Sequence, residues 1–137
     1  MSVSGNTAVL VSLAIALAPL RASALGDLDG WRPSPVEATL LPKFCWAQFM
    51  GNRFRGPEFS IPRDSCGPGM NHFCPGLVAL NRANRSLDNR AKRGYLQGAR
   101  AQVLYTVKAM EKYPRCPIRG QVQSTYTLIE RELSSPR

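Results

Sequence analysis

Residues 71–84 read NHFCPGLVALNRAN, residues 93–114 read RGYLQGARAQVLYTVKAMEKYP, and residues 115–135 read RCPIRGQVQSTYTLIERELSS. In each segment apolar residues recur every three or four positions. Phe73, Leu77 and Leu80 share a face of the first. Leu96, Ala99, Val103, Val107 and Met110 form a stripe on the second, and Ile118, Val122, Tyr126, Ile129 and Leu133 form one on the third. That spacing matches the helical turn, which stacks such side chains on the side facing a core. Proline marks the joints: Pro75 falls in a first turn, where the N–H has no helical partner anyway, Pro114 stops the second helix, and Pro117 opens the third. No segment alternates apolar and polar residues as a half-buried strand would, so the pattern predicts an all-α protein.

Upstream the signals are shorter. Ser34-Pro35-Val36-Glu37 is a helix start: a serine cap, proline in the first helical position, and a glutamate placed to close a capping box. Pro42 interrupts the run that follows, which predicts two short helices over about 35–40 and 42–50. Residues 51–69 (GNRFRGPEFSIPRDSCGPG) hold four glycines and three prolines and read as a loop. Arg53, Arg55 and Arg63 alternate there with Phe54 and Phe59, a pattern on which a nucleic-acid strand can stack. The plainer expectation is that the phenylalanines anchor the loop and no nucleic acid is bound.

Residues 8–20 (AVLVSLAIALAPL) are apolar but too short to cross a bilayer comfortably, which takes about 20 residues. With Ala22-Ser23-Ala24 after them, they predict a signal peptide over 1–24 and export to a periplasmic or secreted location. Met1 to Asn6 carries no Lys or Arg, so an uncleaved, tethered form is the competing expectation. The remainder divides into an N-terminal arm with short helices and a Gly/Pro-rich loop (25–69) and a helical region (70–137).

Cys45, Cys66, Cys74 and Cys116 all follow the leader. An even number in an exported chain predicts two disulfides, and spacing alone leaves three connectivities open. Cys45, Cys66, His72 and Cys74 could also be grouped as a zinc site, but no CxxC or HxxxH pair brings two ligands together, and no metal is expected. There is no CxxCH for haem, and no cofactor is expected. The formal net charge is +9 and most of the cations are arginines. Such a protein meets anionic partners readily. The densest group is Arg82, Arg85, Arg90, Lys92, Arg93 and Arg100, with Asp88 as the only acid among them. Arginine clusters grip phosphate or carboxylate in bidentate fashion, so this is the candidate contact surface.

The order helix, loop, helix, proline, helix resembles tetratricopeptide-repeat architecture, in which helical pairs of about 34 residues stack into a solenoid. Ala109 and Pro114 look like the end of a repeat, and Ser124 like the small residue where the next repeat packs closely. The wider block, roughly 40–127, resembles a group of small exported bacterial proteins with tetratricopeptide-like helices. Their Leu-Pro-x-x-Cys motif stands here as Leu41-Pro42-Lys43-Phe44-Cys45. Their second motif, His-x-x-Cys-x-Gly-Leu-x-x-Leu-Asn-Arg-Ala, stands here from Asn71 to Ala83, with His72 one residue nearer to Cys74. Two departures are visible: residues 84–93 make a longer loop than a repeat turn, and the chain ends before a second full repeat. The resemblance implies Cys45 paired with Cys74, since each motif carries one, which leaves Cys66 with Cys116. It also implies an interaction or scaffold role in the bacterial envelope, with another envelope protein as partner, and supplies no catalytic residues.

Two further readings remain: a binder of an anionic envelope polymer or lipid surface through the arginine cluster, and a small hydrolase built on His72. His72 is the lone histidine, and a hydrolase needs a nucleophile and an orienting acid beside it. Cys66 or Cys74 could serve only as free thiols. The structural alternative is a histidine that orders the start of its helix, and the protein is expected not to be an enzyme.

Overall fold

The computed structural model describes residues 32–135. The signal-peptide expectation and the arm as far as Trp31 therefore fall outside the described residues. Among those described the chain is helical and has no strand. Six α-helices follow one another: α1 (Pro35–Thr39), α2 (Trp46–Met50), α3 (Arg63–Cys66), α4 (Phe73–Arg85), α5 (Asn89–Ala109) and α6 (Arg119–Ser134). Short 3-10 turns join them, among them Lys43–Cys45, Pro57–Phe59 and Pro68–His72.

The start of α1 forms the expected capping box. Ser34 Oγ accepts the Glu37 N–H at 3.2 Å, and Glu37 Oε2 accepts the Ser34 N–H at 2.8 Å. Pro42 separates α1 from α2. The loop after α2 is tied down by an aromatic cluster in which Trp46 lies 5.1 Å from Phe54 and 5.9 Å from Phe59 between ring centroids. Trp46 Nε1 donates to the Leu41 carbonyl at 3.0 Å. The two phenylalanines thus do the anchoring expected of them.

α5 is the central helix. It packs against α4 on one side and α6 on the other. Leu96, Ala99, Val103 and Met110 of its stripe are buried, as are Val122 and Ile129 of α6. α4 is buried on two faces. Phe73, Leu80 and Ala83 join the main core, while Cys74 and Val78 form a second small core with Leu41 and Cys45. Helix α4 is thus held between the N-terminal segment and α5. Its approach to α5 is close: a Cβ on Gly76 would lie 2.6 Å from Val103 Cγ2. A Cβ on Gly69 would collide with the Ala109 Cβ.

Two disulfides, Cys45–Cys74 and Cys66–Cys116, staple these parts, matching the pairing the resemblance implied. They cross in chain order and link positions 29 and 50 residues apart. Chain-entropy arithmetic gives about 3.6 and about 4 kcal/mol for single loops of those sizes. The loops overlap, so the two values do not add.

Three expectations change, and one buried residue was not foreseen. The 84–93 loop shrinks to Ser86–Asp88, because Asp88 Oδ1 accepts the Ala91 N–H at 2.6 Å and caps a helix that starts at Asn89. α6 begins at Arg119 instead of Pro117, since residues 113–118 are spent turning around the bridged Cys116. Ser124 is exposed, its hydroxyl donating to the Gln121 carbonyl at 3.0 Å. The small residues at close helix contacts are Gly69 and Gly76. Thr106, unnoticed among the apolar positions of α5, is fully buried, and its hydroxyl reaches the Gly69 and Gln102 carbonyls at 3.3 Å.

Candidate functional site

The six cations of the sequence cluster have two different fates. Arg82, on α4, reaches across to α1: its Nε lies 2.7 Å from Glu37 Oε1 and its Nη2 lies 3.2 Å from Glu37 Oε2. The same Nη2 donates to the Arg32 carbonyl at 3.2 Å, which fixes the chain as it enters α1. Arg82 and the Ser34 N–H together hold the Glu37 carboxyl down to about 2, against an ordinary 4.5, and the Glu37 bond raises Arg82 in return. Lys92 pairs with Glu132 of α6 at 3.3 Å, and Arg100 pairs with Glu130 at 2.5 Å. Glu130 also bonds to Tyr126, which lowers its carboxyl and raises the phenol. Arg93 points at the Leu133 carbonyl near the end of α6, a long 3.5 Å contact.

Arg85 and Arg90 differ. Both are exposed and neither has an ion pair among the described residues. They flank Leu87, a fully exposed side chain on the three-residue turn between α4 and α5. The fold thus pairs three of the six residues with its own carboxylates and aims a fourth, Arg93, at a carbonyl. What remains for a partner is a small tip: Arg85, Leu87 and Arg90.

His72 sits just before α4 and does not cap it. Its Nδ1 is 2.7 Å from Gln102 Oε1 on α5, and its ring lies 4.1 Å from that of Tyr105. An amide oxygen only accepts, so this hydrogen bond is made by the tautomer that carries its proton on Nδ1. His72 therefore orders its helix by bridging to α5. All four cysteines are in disulfides and fully or almost fully buried, so no thiol stands ready as a nucleophile or metal ligand beside His72. Among the described residues no three of His, Cys, Asp and Glu are grouped as metal ligands.

Two features escaped the sequence reading. One is a pair of exposed apolar residues, Val36 and Leu40, one turn apart on α1. Beside α1 is a hollow of about 280 Å³ lined by Pro35, Ala38, Phe49 and Phe54. The other is a cleft of about 720 Å³ with Phe44, Ile61 and Met70 on its floor and Gln48, Arg63 and Asn71 at its edge. Val36 and Leu40 stand at helical spacing, which usually marks a core face. Only the placement of α1 on the outside of α4 shows otherwise. Among the described residues no helix is long and apolar enough to cross a membrane.

In comparison with known proteins, no family model matches the chain, and no curated protein or solved structure matches it either.

Proposed function

We propose that the protein is a non-catalytic interaction module working outside the cytoplasm, in the periplasm or after secretion, with another envelope protein as its partner. The observation that carries this reading is the contrast between a covalently stapled interior and apolar residues left outside it. Two buried disulfides persist only where the surroundings are oxidising. On that frame Val36, Leu40 and Leu87 are held in water, where a monomer gains nothing from them. The pairing of α4 with α5 and of α5 with α6 supports a tetratricopeptide-like arrangement, in which the segment around Leu41 and Cys45 packs on the other face of α4.

A photocrosslinking residue at Val36 or Leu40 tests the idea in the native compartment. The expected result is one discrete protein adduct, resistant to moderate salt, that is missing when the probe is moved to exposed Gln97 on α5. Equal labelling from all three positions, or no adduct from α1, refutes it.

A second reading, a binder of an anionic polymer or lipid surface, is favoured by the +9 charge and by the exposed Arg85 and Arg90. It predicts binding that weakens steeply with salt, since screened charges carry it.

A further inference from the structure

In the Arg82–Arg100 cluster three of the six cations, Arg82, Lys92 and Arg100, are paired with Glu37, Glu132 and Glu130. The C-terminal end of α5, a helix of 21 residues, lies about 12 Å beyond Arg100 and about 30 Å from the start of the helix. Lys108, Lys112 and Arg115 follow one another there, all exposed and none in an ion pair among the described residues. The Cys66–Cys116 bridge adds a fourth cation. Arg63 begins α3, one turn before Cys66, and Arg115 precedes Cys116, and the two bridged Cα atoms are 4.6 Å apart. The Tyr113 ring lies against Gly67, where any Cβ would strike it, so the joint is packed as well as bonded. Arg119 is used internally, its Nη1 donating to the Met110 carbonyl at 2.9 Å. The carboxylates of this end are Asp64 and Glu111, and neither pairs with the four cations.

We propose that this disulfide-stitched end, with Lys108, Lys112, Arg115 and Arg63, binds a linear polyanion: a flexible chain carrying phosphate, sulfate or carboxylate groups. The proposal rests on the anion-binding reading above and moves its site. Two observations favour a polymer over a bilayer. The cations follow one another in the chain at the end of α5 and the bridge brings the Arg63 segment beside them, an order that suits a chain of oxyanions. The exposed aliphatic residues that would anchor a protein in a lipid interface, Val36, Leu40 and Leu87, lie toward the other end, where Glu37 meets Arg82. The competing explanation is that cations gather here only to complement the C-terminal dipole of α5, and it needs no ligand.

The test uses the oxidised full chain and fluorescein-labelled polyphosphate, followed by anisotropy over a series of salt concentrations. The double substitution Lys112→Ala with Arg115→Ala is expected to weaken binding about tenfold at low salt and to reduce the slope of log K against log salt by about 1.4, as two lost charge contacts should. Arg85→Ala with Arg90→Ala is expected to change binding less than about twofold. Circular dichroism melts of both variants, equal to that of the parent, would exclude misfolding as the cause. A greater loss from the Arg85/Arg90 pair overturns this placement but keeps the anion-binding reading. No polyphosphate binding even at low salt ends both, and so supports the dipole explanation. Binding to phosphatidylglycerol vesicles without binding to polyphosphate overturns the polymer assignment.

Discussion

Replacing Glu37 with Gln isolates the contact between α1 and α4. The carboxylate accepts three N–H groups at once: Arg82 Nε at 2.7 Å, Arg82 Nη2 at 3.2 Å and the Ser34 backbone at 2.8 Å. Glutamine keeps the shape and one carbonyl acceptor but has no charge. The Glu37 group sits at about 2 in the folded protein against 4.5 in the ordinary state. A shift that large converts to an upper limit of about 3.4 kcal/mol, at 1.36 kcal/mol per unit. The pair is partly exposed, the two side chains being 23% and 24% accessible, and solvent screening cuts the limit to about 1–2 kcal/mol. The sign follows from the depressed folded value. The contribution is complete above pH 4.5, shrinks as acid protonates the unfolded chain first, and is gone below about pH 2. Urea unfolding of parent and variant at pH 7, 4.5, 3.5 and 2 measures it. The stability difference should be about 1–2 kcal/mol at pH 7 and close to zero at pH 2. A difference that stays constant with pH would show that Glu37 acts through shape alone and refute the electrostatic argument.

The other predictions concern packing and covalent closure. Gly76→Ala puts a methyl against Val103 on α5 and should cost about 1–3 kcal/mol in chemical denaturation. Gly94→Ala has open space around it in the interior of the same helix and should stabilise by up to about 1 kcal/mol; equal effects from the two would refute the close α4–α5 approach. Cys66→Ser with Cys116→Ser opens the larger loop and should lower stability by about 2–4 kcal/mol. Its thermal melt, compared with that of Cys45→Ser with Cys74→Ser, shows which bridge the fold leans on more, and no loss from either would remove the stapled-core argument.

Much of the helix layout was legible because it is local. Stripes at three- and four-residue spacing located α4, α5 and α6, and Ser34-Pro35-Val36-Glu37 gave the start of α1 in full. Local signals were also missed. Asp88 is a good N-cap residue three positions before Ala91, yet glycine and arginine nearby made the segment look like loop. The larger miss was electrostatic. Counting along the chain set only Asp88 against six cations, whereas the acids that pair with three of them stand 30 to 45 positions away, on α1 and α6. Ion pairs of that separation leave no mark in a sequence window. The candidate surface was therefore drawn where charge is dense in sequence, although three of its six cations are paired in space. Thr106 shows the same limit at small scale: a hydroxyl inside an apolar stripe is explained only by the Gly69 carbonyl that meets it.

The crossed bridges also bear on how the chain is made. When a chain emerges amino end first, Cys45 and Cys66 are the first two thiols to meet an oxidant, and they are not partners. Cys74 and then Cys116 arrive later, so any bond formed early between Cys45 and Cys66 has to be attacked by a later thiolate and handed on. A disulfide isomerase, or a glutathione mixture that keeps exchange open, should therefore raise the yield of material paired 45–74 and 66–116, whereas a fast, purely oxidising environment should favour the 45–66 isomer. For this protein the timing of oxidation is as much a part of folding as the helices are.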